Sequence, residues 1–224
     1  MNIDFIGQLG GTASAVAVDD SHVYAGFGME FAVLAPSPSL HRVGYTLLPN
    51  TVQKIVLDGT YAYVLADGAL NIVDIADPQR PTPVIDEYPR MATDSAALAS
   101  GGLAVRDRRA YLRSGADFYI IDVQDSRHPV TLYETHNVSL GETFIDAQGN
   151  FMHRTFGCQE LEVWDISQPS SPTVVAHLPQ EEGHRCGCYV SGFVVEGDYA
   201  YIGSPYMFWI SLIPPSPNPL APLR

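Results

Sequence analysis

Lysine is almost missing from this sequence. Lys54 is the only one, and arginines make up the rest of the 12 basic residues. Against 25 acidic residues the formal charge is −13. A field of that sign repels phosphate backbones, which sets nucleic acid aside as a partner. The one basic cluster, Arg106, Arg108 and Arg109, reads as a solvated hairpin tip. Long apolar runs are missing too. None approaches the roughly 20 residues of a spanning helix, so no membrane span is expected. The opening MNIDFIGQLGG has neither a basic n-region nor an apolar core and does not read as a signal peptide. Cysteine is scarce: Cys158, Cys186 and Cys188 are too few for a disulfide scaffold, and their odd number leaves one over. Helical periodicity is nowhere sustained. There is no Gly-x-Ser-x-Gly elbow, phosphate loop or dinucleotide fingerprint, so nucleophilic-serine chemistry and nucleotide cofactors are unsupported.

What the chain has is turns, from 19 glycines and 17 prolines, and 46% hydrophobic residues for a core. One unit recurs: a short strand, a polar turn, a strand with an aromatic, a Gly-containing turn, then a strand ending near Asp. The second strands align on Tyr24, Tyr63, Tyr111, His153 and Tyr201, spaced 39, 48, 42 and 48. The third strands align on Leu34, Asp74, Asp122, Asp165 and Ser211, spaced 40, 48, 43 and 46. Two anchor series with one period in the forties, and about four strands per unit, are the signature of propeller blades. Gly-Thr at 59–60, Gly-Asn at 149–150 and Gly-Asp at 197–198 sit where tight hairpin turns belong. Asp77-Pro78 with Pro81, and Gln168-Pro169 with Pro172, fit a fixed turn between third and fourth strands. The fold expected is all-β: a single five-bladed β-propeller over 1–224, with four-stranded blades near 11–49, 50–90, 91–137, 138–179 and 180–224. The last unit runs out of chain before its outer strand, and the N-terminus has a spare one. Residues 4–9 are therefore expected to close the ring as outer strand of the last blade, removing an unpaired edge.

The segments LNIVDIADPQRP (70–81), FYIIDVQDSRHP (118–129) and LEVWDISQPSSP (161–172), joined to YAYVLADG and YAYIG, resemble the LVIVD-repeat propellers. The resemblance covers nearly the whole chain. It implies the propeller fold and favours an exported or cell-surface setting. Leu34 and Ser211 depart from it where Asp is expected. The family supplies no catalytic motif to carry over.

A ligand face is expected where the loops into the inner strands meet the turns between second and third strands. Two long loops belong there, Arg90 to Gly101 and Pro179 to Cys188. The second holds Glu181, Glu182, His184, Arg185, Cys186 and Cys188; the nearby turn HRTFGCQE adds His153, Arg154 and Cys158. A Cys158–Cys186 disulfide, thiolate ligation of a metal, and three reduced cysteines packed as small hydrophobes all fit these residues.

His153 stands where the other four units have Tyr, and Asp146 where they have Ala17, Val56, Ala104 and Val194. If Gln148-Gly149 form the turn, residue 146 pairs with 151, and Glu142, Phe144, Asp146, Phe151 and His153 share one blade face. His136, Glu142, His153 and His184 would then suit a divalent metal (zinc, manganese or calcium) with an open position. The plainer reading is an Asp–His hydrogen bond inside the blade. Asp67, Asp117 and Glu30 occupy equivalent turns and read as exposed acids, with calcium binding the alternative. Tyr206, Met207, Phe208 and Trp209 read as strand core or as an aromatic ligand platform.

Two functions stay open. One is a monomeric, non-catalytic module that binds a small molecule or protein through Arg154, Arg185 and Tyr206. The other is a metal-dependent hydrolase of esters, lactones or phosphoesters, with Glu142, Asp146 and His153 as catalytic groups.

Overall fold

Alternating apolar and polar residues, cut every few positions by glycine, dictate short strands joined by tight turns. The computed structural model describes residues 12–37, 39–89, 101–115, 117–136, 145–156, 160–178, 192–196, 199–203 and 208–212. Among them the regular elements are all strands. The first sheet runs, in spatial order, β1 (Ala15–Val18), β2 (Val23–Phe27), β3 (Glu30–Ala35) and β4 (His41–Leu47). The second runs β5 (Val52–Asp58), β6 (Tyr61–Ala66), β7 (Ala69–Asp74) and β8 (Thr82–Tyr88). The third holds β9 (Gly101–Arg106), β10 (Arg109–Ser114), β11 (Asp117–Asp122) and β12 (Val130–Thr135). The fourth holds β13 (Ile145–Gln148), β14 (Phe151–Phe156), β15 (Glu160–Asp165) and β16 (Thr173–Leu178). A further sheet has three described strands, β17 (Gly192–Glu196), β18 (Tyr199–Gly203) and β19 (Phe208–Leu212).

The turns explain the repeat. Asp58 stands opposite Tyr61 and Gln148 opposite Phe151, so Gly59–Thr60 and Gly149–Asn150 are the two-residue turns. Gly59 and Gly149 take φ of +59° and +56°, where a residue without Cβ meets no steric cost. Asp107 and Arg108 also take positive φ at the β9–β10 turn, and Arg106 and Arg108 are exposed, as a solvated tip requires. The recurring aspartate is a turn device. Oδ1 of Asp74, Asp122 and Asp165 accepts the backbone N–H of Ala76, Gln124 and Ser167 at 3.1, 2.8 and 2.8 Å. This Asx turn lets the chain leave the third strand. Backbone bonds of 2.9 Å from Arg80 to Asp77, His128 to Asp125 and Ser171 to Gln168 close the turn that follows.

Register corrects two anchors. Asp74 and Asp165 stand opposite Tyr61 and Phe151, two residues before Tyr63 and His153. Leu34 and Ser211 stand opposite Val23 and Ala200, only one residue before Tyr24 and Tyr201. Their true counterparts are Ala35 and Leu212. Apolar strands that lack the Asp have no polar marker to fix the count, so the alignment slipped by one.

The chain divides into two compact units, Met1–Gly101 with Asp122–Val130, and Gly102–Ile121 with Thr131–Arg224. In the first unit Tyr24, Phe31 and Val33 of one sheet pack against Val52, Ile55, Val64 and Val73 of the next. In the second, Tyr111, Phe118 and Ile120 pack the same way against Ile145, Met152 and Trp164. Phe31 and Phe118 are fully buried, each worth about 1.5–3 kcal/mol. The second-strand anchors Tyr24, Tyr63, Tyr111 and His153 are all buried. Tyr24 donates to Asp19 Oδ2 at 2.8 Å. Burial pushes the Asp19 carboxyl up, but this bond and those from Ser21 and His22 outweigh it and hold the group at about 2.

Third-to-fourth-strand turns dock on the preceding sheet. A Cβ on Gly44 of β4 would lie 2.2 Å from the Pro78 carbonyl oxygen. Tyr63 and Ser126 hydroxyls meet at 3.0 Å, and Arg127 Nη2 donates to Asp74 Oδ2 at 3.1 Å. The opposite face of the first sheet differs. Val16 is cross-strand to Ala25, then Ala32, then Tyr45. Val16 and Val18 are 59% and 64% exposed. Their counterparts in the second sheet, Ile55 and Leu57, pack into the core.

Candidate functional site

Polar residues enter the interior of the second unit on two second strands. Alternation along β10 puts Arg113 on the face of Tyr111, which packs on the fourth sheet. Alternation along β14 puts Arg154 on the face of Met152, which packs on the third. Arg113 is 0% and Arg154 6% exposed. Glu162 is the cross-strand partner of Arg154. Its Oε2 accepts from Arg154 Nη2 at 2.5 Å and from Trp164 Nε1 at 2.9 Å. The Arg154 guanidinium lies 5.2 Å from the centre of the Trp164 ring, a cation–π distance. Burial, and then the charge of Arg154, push the Arg113 guanidinium below its ordinary value. Ser114 and His153, neighbours of the two arginines in sequence, are buried as well. In the first unit the strand positions of Arg154 and Arg113 carry Ala25 and Gly26, or Val64 and Leu65. Buried arginine at these positions is therefore particular to the third and fourth repeats among the described residues, although Asn71 of the second repeat is buried as well.

The fourth-repeat hairpin corrects one expectation and sharpens another. Its turn is Gly149–Asn150, so residue 146 pairs with His153 and not with 151. Gly149 supplies the left-handed first turn position, which Gln148 would occupy only at a steric cost. Moving the turn by one whole residue shifts the pairing by two, so positions 146 and 153 become direct cross-strand partners. Tyr24 with Ala17, Tyr63 with Val56 and Tyr201 with Val194 occupy the same register.

His136 is exposed, with Nδ1 2.9 Å from Asp117 Oδ1. That hydrogen bond and the carboxylate's charge raise its affinity for a proton. Burial, then the charges of Asp117 and Glu134, push Tyr119 up to about 12. Glu30 is likewise engaged, by Arg42 Nη1 at 2.6 Å, and Asp67 takes positive φ in its turn. Among the described residues no three His, Cys, Asp or Glu groups converge to hold a metal. Of the expected ligands His136 and His153 are described, while Glu142 and His184 lie outside the described residues. So do Arg185, Tyr206, Met207, the three cysteines, Glu181, Glu182 and segment 4–9. Phe208 and Trp209 fall in β19. Arg113, Glu162 and Trp164 had not been expected at a site; alternation from Tyr111 was the signal that would have found Arg113.

Residues 50–85 and 145–178 match the LVIVD repeat. The chain carries LVIVD repeats. Those repeats are known to build β-propellers, and solved structures agree on the fold. The computationally designed Ika8 protein superposes with a TM-score of 0.68 at 12% identity, over 90% of this chain and 58% of that one. The Cps50 (Swd1) β-propeller domain of Myceliophteria thermophila gives 0.67 at 9% identity, over 90% and 70%. The LVIVD-repeat chain thus spans little more than half of the first protein's length. No curated protein matches it in sequence. Its fold is all-β and propeller-type, built of four-stranded antiparallel sheets, and no described helix is long and apolar enough to cross a membrane.

Proposed function

We propose that this LVIVD-repeat chain is a five-bladed propeller that binds a small ligand beside the second-to-third-strand turns of its third and fourth repeats. The observation that carries the reading is the pair of buried arginines on facing sheets there, Arg113 and Arg154. The first two repeats fill the Arg113 and Arg154 positions with apolar residues or glycine. Burying an arginine is costly even where it is paired, so a fold that needs only packing has little use for two. The test is a panel of small molecules followed by thermal melting and calorimetry. A compound that raises the wild-type melting temperature is expected to bind at least tenfold more weakly to Arg154→Lys. Binding left unchanged by that substitution rejects the site.

The ring closes, in this reading, through residues 4–9 on the outer edge of β19, with blades near 11–49, 50–90, 91–137, 138–179 and 180–224. One feature supports it: the last sheet has three described strands, one fewer than the other four. Removing residues 1–9 is expected to cost about 2 kcal/mol, the order of one buried apolar side chain, in a denaturant titration. An unchanged midpoint rejects closure. Metal-dependent hydrolysis is the second reading, favoured by the cross-strand register of Asp146 and His153.

A further inference from the structure

We infer that the ligand of this site is a small oxyanion, a carboxylate or phosphate group, held by the guanidinium groups of Arg113 and Arg154. The inference rests on the binding reading above and adds the ligand's chemistry. Both arginines project into the packed face between the third and fourth sheets, and both are almost wholly buried. The two positive charges lie close enough to disfavour each other. Two like charges held on facing sheets repel even where each is paired, and an anion bonded by both relieves that repulsion. Guanidinium is the group whose planar donor fork matches a carboxylate or phosphate in two parallel bonds.

The local geometry fits this use. Arg154 is held by Glu162 through Nη2 and stacked near Trp164, which fixes its plane. Arg113 is the penultimate residue of β10, and Arg154 lies within two residues of the end of β14. Both are therefore at the strand ends next to the second-to-third-strand turns. Uncharged ligands gain little from two cations. Oxyanions gain a charge-assisted bond from each.

The experiment uses the full chain and two probes, sodium phosphate and sodium acetate, with sodium chloride at matched ionic strength as reference. Phosphate or acetate at about a hundredfold over its Kd is expected to raise the melting temperature by roughly 5–10 °C for a chain of this size. Above Kd the rise should grow with the logarithm of concentration, and Arg113→Lys should cut it by at least half. Circular dichroism confirms that the variant is folded. Should that variant not fold, Arg154→Lys is read in its place. A rise equal to that in chloride, or one unchanged in both variants, overturns the inference. If neutral compounds of the panel bind and neither oxyanion does, the anion inference falls and the binding site stands. If nothing binds, both fall.

Discussion

Gly44→Ala is expected to lower the melting temperature by roughly 5–10 °C, a loss of about 2–3 kcal/mol. The cause is contact with backbone. A Cβ at this position would lie 2.2 Å from the Pro78 carbonyl oxygen and 2.9 Å from the Gln79 carbonyl group. Neither can rotate away, because the Arg80-to-Asp77 bond and the Gln79-to-Asp77 Oδ1 bond hold that turn. The whole turn must move, or β4 must leave β3. Gly59→Asn is the control. Gly59 has positive φ and nothing within 4 Å of an added Cβ, and Asn tolerates that backbone region. Its cost is expected below about 1 kcal/mol. Melting of both variants decides: equal losses would show that turn and strand are not in contact.

Glu162→Ala is expected to cost about 3–5 kcal/mol, because it strands a charge in the interior. Arg154 would lose the carboxylate bonded at 2.5 Å, and Trp164 Nε1 would lose its acceptor at 2.9 Å. The side chains of Arg154 and Glu162 are 7% and 16% exposed, so solvent screens the pair little. Adding Arg154→Leu to Glu162→Ala should recover part of the loss, since the cation that lost its carboxylate is then gone. A denaturant series on the two singles and the double measures the coupling. Additive losses would mean that the pair contributes nothing of its own.

The repeat was legible because the same physical devices recur in the same places. Glycine marks the left-handed turn position, and an aspartate caps the end of the third strand. Where the devices are missing, the reading slipped: Ala35 and Leu212 carry no polar group to set the count. Gln148-Gly149-Asn150 offers two neighbouring turns, and only the demand for positive φ at the first position selects the second of them. The site was harder to read. Arg113 in RAYLRSGA looks like a surface charge, since arginine is usually exposed. Its place two residues after a buried tyrosine outweighs its own preference, but that judgement needs both faces of β10 to be covered. His153 and Asp146 stood out because they break a repeat, and the register makes them partners. Glu162 was invisible for the opposite reason: a glutamate between Leu161 and Val163 is the ordinary outward residue of an alternating strand.

The docking of Asp122–Val130 with the first unit has a consequence for how such chains can be cut and recombined. A fragment ending at residue 90 keeps two complete sheets, yet it strips Tyr63 of its Ser126 hydroxyl and Asp74 of the Arg127 guanidinium. The second and third repeats each lend the preceding one a latch. The smallest portable piece is therefore longer than one period, and grafts between such proteins should carry the following turn along with the sheet it fastens.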